Sequence, residues 1–383
     1  MKWIEGRTIK RATGLLNRKE KPANTAGETR RDFMKMPLAL AAGSIAATSL
    51  FEGLAFDAKA DKGGDKVTIA PRYYPLNHFN PQINLAGKLA VITGASRGNG
   101  RAVAEALAEL GVDVIGTSRD PAGVANPPDY PLLALDITDP ASVFGFVAAL
   151  QGHPRFQRRG RVDILANNAG RVVVGELVPL PPTDFSFYLA QRDLAVRTVY
   201  SGHVMVTNAI LPLMQQQGYS RIIFTASIAS CMSGATDPAE SFVDTYNSCK
   251  AALRVYANNL DSALRAGGSS IRVSTVNPYF VNTGLAEHPH PIYTQPVNTA
   301  GVSDSDAAFN QVITLLRQLI AGGLPPSMVG DTYTQLLRMK DPEQNVVVAS
   351  SHGSLATEGQ NAFLTQQILA ENQISAVPFV CGG

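Results

Sequence analysis

Residues 88–100 read KLAVITGASRGNG, and this stretch limits what the chain can fold into more than any other. Residues 89–93 are a short apolar run without charge, which suits a strand buried on both faces. Gly94, Gly98 and Gly100 follow in a Gly-x3-Gly-x-Gly spacing rather than G-x-G-x-x-G. Residues 101–110, RAVAEALAEL, are strong helix formers, with Val103, Leu107 and Leu110 at helical spacing. A strand, a glycine turn and a helix N-terminus are what a dinucleotide pyrophosphate needs. Bare backbone N–H groups reach the phosphates, and the helix dipole favours negative charge. A purely structural glycine turn would read the same locally, so the rest of the chain has to decide.

Further strands are expected at 112–117, 132–136, 162–166, 221–226, 271–276 and 345–349. Helices are expected at 140–150, 184–216, 246–265 and 361–372. Strands alternating with helices imply the α/β class. The expected architecture is a single Rossmann-type, doubly wound parallel sheet of about seven strands with helices on both faces. The chain of 383 residues divides into a leader (1–60), an extended arm (61–86), the α/β domain (87–350) and a C-terminal extension (351–383).

Charge is unevenly placed. The first 60 residues carry 11 Lys+Arg and 6 Asp+Glu, leaving 22 basic and 25 acidic residues for the remainder. The body therefore has no electrostatic reason to bind nucleic acid. Within the leader, residues 29–35 read TRRDFMK, which resembles a twin-arginine export signal: Arg30 and Arg31, Phe33 two positions on, then Lys35. Residues 36–51 are uncharged and Ala-rich; a membrane span needs about 20 residues. Ala58-Lys59-Ala60 is a small-x-small cleavage site before Asp61. The resemblance implies export by the twin-arginine route, to a periplasmic or extracellular place. Membrane contact would then come only from an uncleaved signal. In the arm, Pro71, Pro75 and Pro81 forbid a regular helix, while Tyr73, Tyr74 and Phe79 call for a surface to pack on. Cys231, Cys249 and Cys381 have no metal-ligand spacing, and their odd number leaves a free thiol or an intermolecular bond. His288 and His290 lack further ligands around them, so no metal is expected.

Four motifs in order carry a family resemblance: Thr93-Gly94-x3-Gly98-x-Gly100, Asn167-Asn168-Ala169-Gly170, Ser227, and Tyr246-x3-Lys250. Together, each at its element boundary, they resemble the short-chain dehydrogenase/reductase family. The resemblance implies an oxidoreductase interconverting a secondary alcohol and a carbonyl, in one domain that holds both cofactor and active site. Tyr246 and Lys250, four apart on a helix, project from one face. A nearby ammonium favours the phenolate, and an oxidised nicotinamide adds to this, so Tyr246 can give or take the alcohol proton. Ser227, past the fifth strand, would hydrogen-bond the substrate oxygen. It stands nineteen positions before Tyr246, where the family usually has about a dozen, so Ser233 is a rival.

By the same resemblance, Gly94, Ser96, Arg97, Gly98, Asn99 and Gly100 would hold the pyrophosphate. Ser118 and Arg119 would meet the adenosine ribose, Lys250 would also hydrogen-bond the nicotinamide ribose, Thr283 would contact the cofactor's amide and phosphate region, and Asp136, Ile137, Asn168, Ala169, Gly170, Tyr246, Pro278 and Val281 would complete the cofactor site. Ser118 stands where NAD enzymes place a carboxylate, and Arg119 can clamp a 2′-phosphate in a bidentate way, helped by Arg97. NADP is therefore expected, with Asp120 leaving some room for NAD. Two departures matter. Gly202 and Pro212 put Val199 where the family carries a catalytic Asn, so the proton relay is rerouted, through Tyr200 or Ser201, or weakened. Tyr279 follows Asn277-Pro278 where Gly is usual, and would narrow the site. These departures motivate a rival reading, a catalytically weak dinucleotide-binding sensor or structural subunit. The resemblance also implies a homodimer or homotetramer.

Overall fold

The computed structural model describes residues 83–175, 184–214, 218–231, 243–287, 290–292, 304–342, 344–348 and 376–378. In chain order the strands are β1 (Leu89–Ile92), β2 (Asp113–Ser118), β3 (Leu132–Ala134), β4 (Ile164–Asn167), β5 (Val173–Gly175), β6 (Ser220–Thr225), β7 (Ile271–Pro278), β8 (His290–Ile292), β9 (Asn345–Val348) and β10 (Ala376–Pro378). The helices are α1 (Gly98–Glu109), α2 (Pro140–Gly152), α3 (Pro154–Arg159), α4 (Phe185–Val196), α5 (Gly202–Ile210), α6 (Asp244–Ala266), α7 (Asp304–Ala321) and α8 (Ser327–Arg338).

Seven strands pair in parallel in the order β9-β7-β6-β4-β1-β2-β3, as expected for a doubly wound sheet. β10 adds an antiparallel eighth strand beside β9, where the sequence showed only an apolar end. β5 and β8 form a separate parallel pair that the sequence reading had not found. Three-residue strands carry too little periodicity to be seen.

The two-residue period of each strand sorts its side chains between two layers. Ala90, Ile92, Ile164, Ala166 and Ile223 face the layer built with Val103 and Leu107 of α1 and Val329, Tyr333 and Leu337 of α8. Leu89, Val91, Leu165, Ile222 and Phe224 face Phe146 and Leu150 of α2, Ile210 of α5 and Leu253 of α6. Burial on both faces is why the strands read as unbroken apolar runs. Each fully buried Leu, Ile or Phe contributes roughly 1.5–3 kcal/mol. α8 sits so close to α1 that a Cβ on Gly330 would lie 2.8 Å from the Ala102 carbonyl oxygen.

The long helical pattern at 184–216 is not one regular helix. α4 passes into a π turn at Arg197–Ser201, then α5, then a 3-10 turn at Leu211–Leu213 that takes in Pro212. The proline lacks the N–H that a continuing helix would use. Residues 73–79 of the arm and the helix expected at 361–372 lie outside the described residues. The end of the arm is seated: Leu85 is buried in the α1–α8 layer, and the Ile83 N–H donates to the Arg338 carbonyl at 3.1 Å. Among the described residues no helix is long and apolar enough to cross a membrane.

Candidate active site

The glycine turn joins β1 to α1 at the C-terminal edge of the sheet. Gly94 and Gly98 have φ of 66° and 57°, in the left-handed region that favours glycine. Gly94 also lies so close to the next loop that a Cβ would stand 2.8 Å from Ala169 Cα, and one on Gly100 would collide with the Gly94 carbonyl and the Asn168 side chain. Arg97, the N-cap of α1, makes no side-chain cap, and the first turn has no acidic residue. The first N–H groups of α1 are thus left for an anion. Asn99 Oδ1 in the same turn is buried without a hydrogen-bond partner. Bare turn, close approach and orphaned acceptor all fit a bound dinucleotide.

Asn168 and Ala169 are fixed by Thr93, whose Oγ1 accepts from their backbone N–H groups at 2.8 and 3.0 Å. Asn168 Nδ2 donates to the Thr93 carbonyl at 3.2 Å, and its Oδ1 accepts from Thr225 Oγ1 at 3.1 Å. Gly170, exposed, ends this loop. Thr283 lies against Gly98, where an added Cβ would meet it at 3.4 Å, and its Oγ1 accepts from Leu285 N at 3.3 Å. Pro278 ends β7, and Val281, buried, bridges to Leu324.

Tyr246 and Lys250 stand in the first two turns of α6, with the Lys250 ammonium 5.6 Å from the Tyr246 ring centroid. Ser227 hydrogen-bonds the Tyr246 side chain, so the strand-end serine and the tyrosine come together. Ser233 and His288 lie outside the described residues. Lys250 is buried and donates to the Thr225 carbonyl at 2.8 Å. Burial pushes its pKa down to about 8. Burial likewise pushes Tyr246 up to about 12, although the Ser227 hydrogen bond acts the other way. Four positions along the helix, the lysine was expected to lower the phenol. In the chain by itself desolvation wins, and the Tyr246 phenol stays protonated.

At the adenosine end, Ser118 and Arg119 close β2. Ser118 Oγ donates to the Asp120 carbonyl at 3.3 Å. The Asp120 carboxylate accepts from Gly123 N at 3.0 Å and so braces its own turn. Arg171, half-buried just after Gly170, feels the like charges of Arg119 and Arg97, and its pKa is lowered by burial and by both neighbours. Among the described residues no carboxylate forms an ion pair with any of these three arginines. They sit past β4, β1 and β2, which are adjacent in the sheet. Asp136, half-buried, accepts from Thr138 N and Oγ1 at 2.8 and 2.7 Å. Ile137 is buried, and its carbonyl abuts Gly202.

Val199 is wholly buried inside the π turn and packs with Tyr246 and Cys249. Tyr200 turns its ring edge-on to Tyr256, with centroids 6.4 Å apart. The Tyr279 ring is half-buried against the α1–α8 layer, which takes up part of its bulk. Among the described residues no group of three His, Cys, Asp or Glu could hold a metal ion.

This constellation agrees with what known proteins show. The chain matches the short chain dehydrogenase family over residues 88–291. It belongs to the short-chain dehydrogenase family. It is 30% identical to the 3-oxoacyl-[acyl-carrier-protein] reductase FabG of Vibrio cholerae over 210 residues, covering 54% of this chain and 78% of that protein. It is also 30% identical to the oxidoreductase UcpA of Escherichia coli K12 over 210 residues, covering 53% and 73%. A short-chain dehydrogenase structure from Streptomyces avermitilis superposes with a TM-score of 0.53 at 26% identity, over 74% of this chain and 94% of that one. A family structure from Burkholderia phymatum in complex with NAD gives 0.54 at 24% identity, over 69% and 90%, and shows the same fold. This short-chain dehydrogenase is thus an oxidoreductase by family. Sequence reasoning did not single out two residues that the structure couples to these motifs, Arg171, which feels Arg97 and Arg119, and His203, which feels Lys250. Arg171 could have been noticed as a third arginine directly after the Asn-Asn-Ala-Gly loop. For His203 no local signal existed, since a helical histidine shows its burial only in three dimensions.

Proposed function

We propose that this protein interconverts a secondary alcohol and a carbonyl with NADP as its nucleotide. Tyr246 is the general acid and base, Ser227 a hydrogen-bond partner of the reacting oxygen, and Lys250 the cation behind the phenol. The observation that carries this reading is the Ser227–Tyr246 hydrogen bond with the Lys250 ammonium behind the same ring. When bound, the nicotinamide supplies or accepts the hydride. Tyr246, protonated in this environment, hands its proton to the carbonyl oxygen in the reductive direction. Ser227 orients that oxygen, and Lys250 offsets the charge left on the phenol. In the oxidative direction a cation beside the ring is needed to bring the phenol down.

The preference for NADP rests on Arg97, Arg119 and Arg171, which converge without a paired carboxylate while Asp120 is spent on Gly123. Ser118 adds no charge to repel a 2′-phosphate. The leader would send the folded chain out by the twin-arginine route, and NADP would have to be loaded before export. Assembly into a homodimer or homotetramer, in which the family often packs the Tyr–Lys helix and the helical segment before it against the same pair of another subunit, is supported by the exposure of Phe185, Leu189 and Leu194 of α4 and Val255 of α6. Buried Val199 favours the second reading, a nucleotide-binding subunit with little turnover.

The deciding experiment is mass spectrometry of the purified protein for bound nucleotide, followed by a panel of carbonyls and alcohols read at the nicotinamide absorbance. Turnover that Ser227→Ala lowers about 10²-fold is expected. Retained NADP with no turnover on the whole panel would favour the sensor reading. Light scattering tests the assembly, and a monomer at working concentration would refute it.

A further inference from the structure

His203 is the buried titratable group that the mechanism above leaves unused. It stands in the first turn of α5, one helical turn past Val199, so both project toward the same side. That side packs on α6, where Val199 meets Tyr246 and Cys249. His203 is 0% exposed; the Ala169 backbone is the one group its ring meets, too poorly placed for a well-formed hydrogen bond, and neither ring nitrogen is fully matched among the described residues. Burial, then the Lys250 ammonium, push its pKa down to about 3, while the Ala169 carbonyl acts in the opposite sense. The ring is therefore neutral, with one N–H and one lone pair. Lys250 and the Ala169 carbonyl are the groups that face it; Cys249 and Tyr246 are the other titratable groups on that turn of α6.

A neutral imidazole with one nitrogen meeting only the Ala169 backbone and the other unmatched in a closed interior is worse than an apolar side chain of equal size. Lys250 has the complementary deficit. Its ammonium carries three donors, and the Thr225 carbonyl takes one. Val199, the nearest side chain one turn back on the helix, has no polar atom to offer.

We propose that His203 is the positioning residue of Lys250. Its N–H turns to the Ala169 carbonyl, and its lone pair accepts from one ordered water, which in turn accepts from the Lys250 ammonium. Both buried groups are then satisfied, and the contact that valine cannot make is supplied one turn further along. A hydrogen bond that favours the ammonium keeps Lys250 charged closer to neutral pH than burial alone would. The inference rests on Lys250 belonging to the site, but it can be read without substrate.

The test is an NMR titration of the full chain labelled with ε-13C lysine, the Lys250 signal being assigned by its loss in Lys250→Arg. His203→Val is expected to lower the Lys250 pKa by about one pH unit. His203→Gln, whose amide both donates and accepts, is expected to restore it. An unmoved Lys250 titration in His203→Val overturns the proposal, as does a Gln variant that behaves like the Val variant. If His203→Val does not fold, the ring nitrogens of the parent decide. They are expected to stay neutral from about pH 5 to pH 9, with one nitrogen protonated and the other accepting. A ring that titrates near its ordinary value overturns the proposal. A chain that turns over nothing on the carbonyl and alcohol panel, yet shows the His203-dependent Lys250 shift, would refute the proposed reaction and uphold this inference.

Discussion

The two ends of the sheet treat charge in opposite ways. At the N-terminal ends of the strands, buried acids are fully matched. Asp163, 0% exposed, accepts from Arg159 at 2.5 and 2.8 Å, from Arg161 at 2.9 Å and from Leu89 N at 2.9 Å. Asp261, equally buried, accepts from Arg265 at 2.6 Å, Val273 N at 2.8 Å and Gln344 at 2.8 Å. Even Arg221, with its Nε unmatched, donates to three backbone carbonyls and stacks 4.5 Å over Tyr219. At the C-terminal ends, Arg171 feels the charges of Arg97 and Arg119 with only Asp136 acting against them, no ion pair joins any of the three among the described residues, and Asn99, Asn167, His203 and Asn247 keep unmatched polar atoms. One end spends its polar groups on itself; the other keeps them available. Parallel strands make this division natural, because ligands of open α/β sheets bind at the carboxyl ends.

The largest effect expected at the upper end is on turnover. Tyr246→Phe keeps the ring and removes the proton donor, so turnover falls about 10²- to 10⁴-fold while the melting temperature is unchanged. Turnover at the parent rate would show that Tyr246 is not the acid. At the lower end the effect falls on stability. Asp163→Ala is expected to cost about 2–3 kcal/mol, because Arg159 and Arg161 can turn to water but the Leu89 N–H is orphaned. Nucleotide affinity of the folded protein stays the same, and loss of affinity without loss of stability would erase the contrast. The pH dependence has a definite sign. Burial raises the Asp163 pKa, but its arginines and the Leu89 N–H outweigh burial and hold it below the usual carboxylate range. Its contribution is therefore present above the unfolded carboxylate value and lost as pH falls through the folded one. Urea unfolding across the acid range measures this, and in Asp163→Ala that part of the slope disappears.

Lys250 is the mirror image. Its folded pKa of about 8 is below the unfolded value of 10.5, so the unfolded chain binds the proton more tightly. Stability linked to it rises as pH climbs through that interval. Lys250→Met is expected to stabilise the fold by about 1–2 kcal/mol and to abolish turnover, read by melting and by the substrate panel. A destabilised Met variant would mean that Lys250 supports the fold after all. The smallest effect concerns Arg119→Ala, expected to weaken NADP binding about tenfold with little change for NAD and no loss of stability. Calorimetric titration with both nucleotides measures it, and equal losses for the two would remove the 2′-phosphate from the argument.

Much of this molecule is legible in one dimension. The apolar runs at 89–93, 162–166 and 221–226 must be buried strands, because charge-free segments between glycine and asparagine turns have no other place to go. The order of the glycine turn, Asn168, Ser227 and Tyr246-x3-Lys250 already named the residues that meet at the sheet's carboxyl edge. Such features are local, set by spacing along one strand or one helix. Tertiary structure decided what depends on environment. It brought Ser227 to Tyr246, turned Asp120 onto Gly123, and put Arg171 within reach of the charges of Arg97 and Arg119. It also set the phenol high and the lysine low, because desolvation scales with burial and no residue carries its own burial in the sequence.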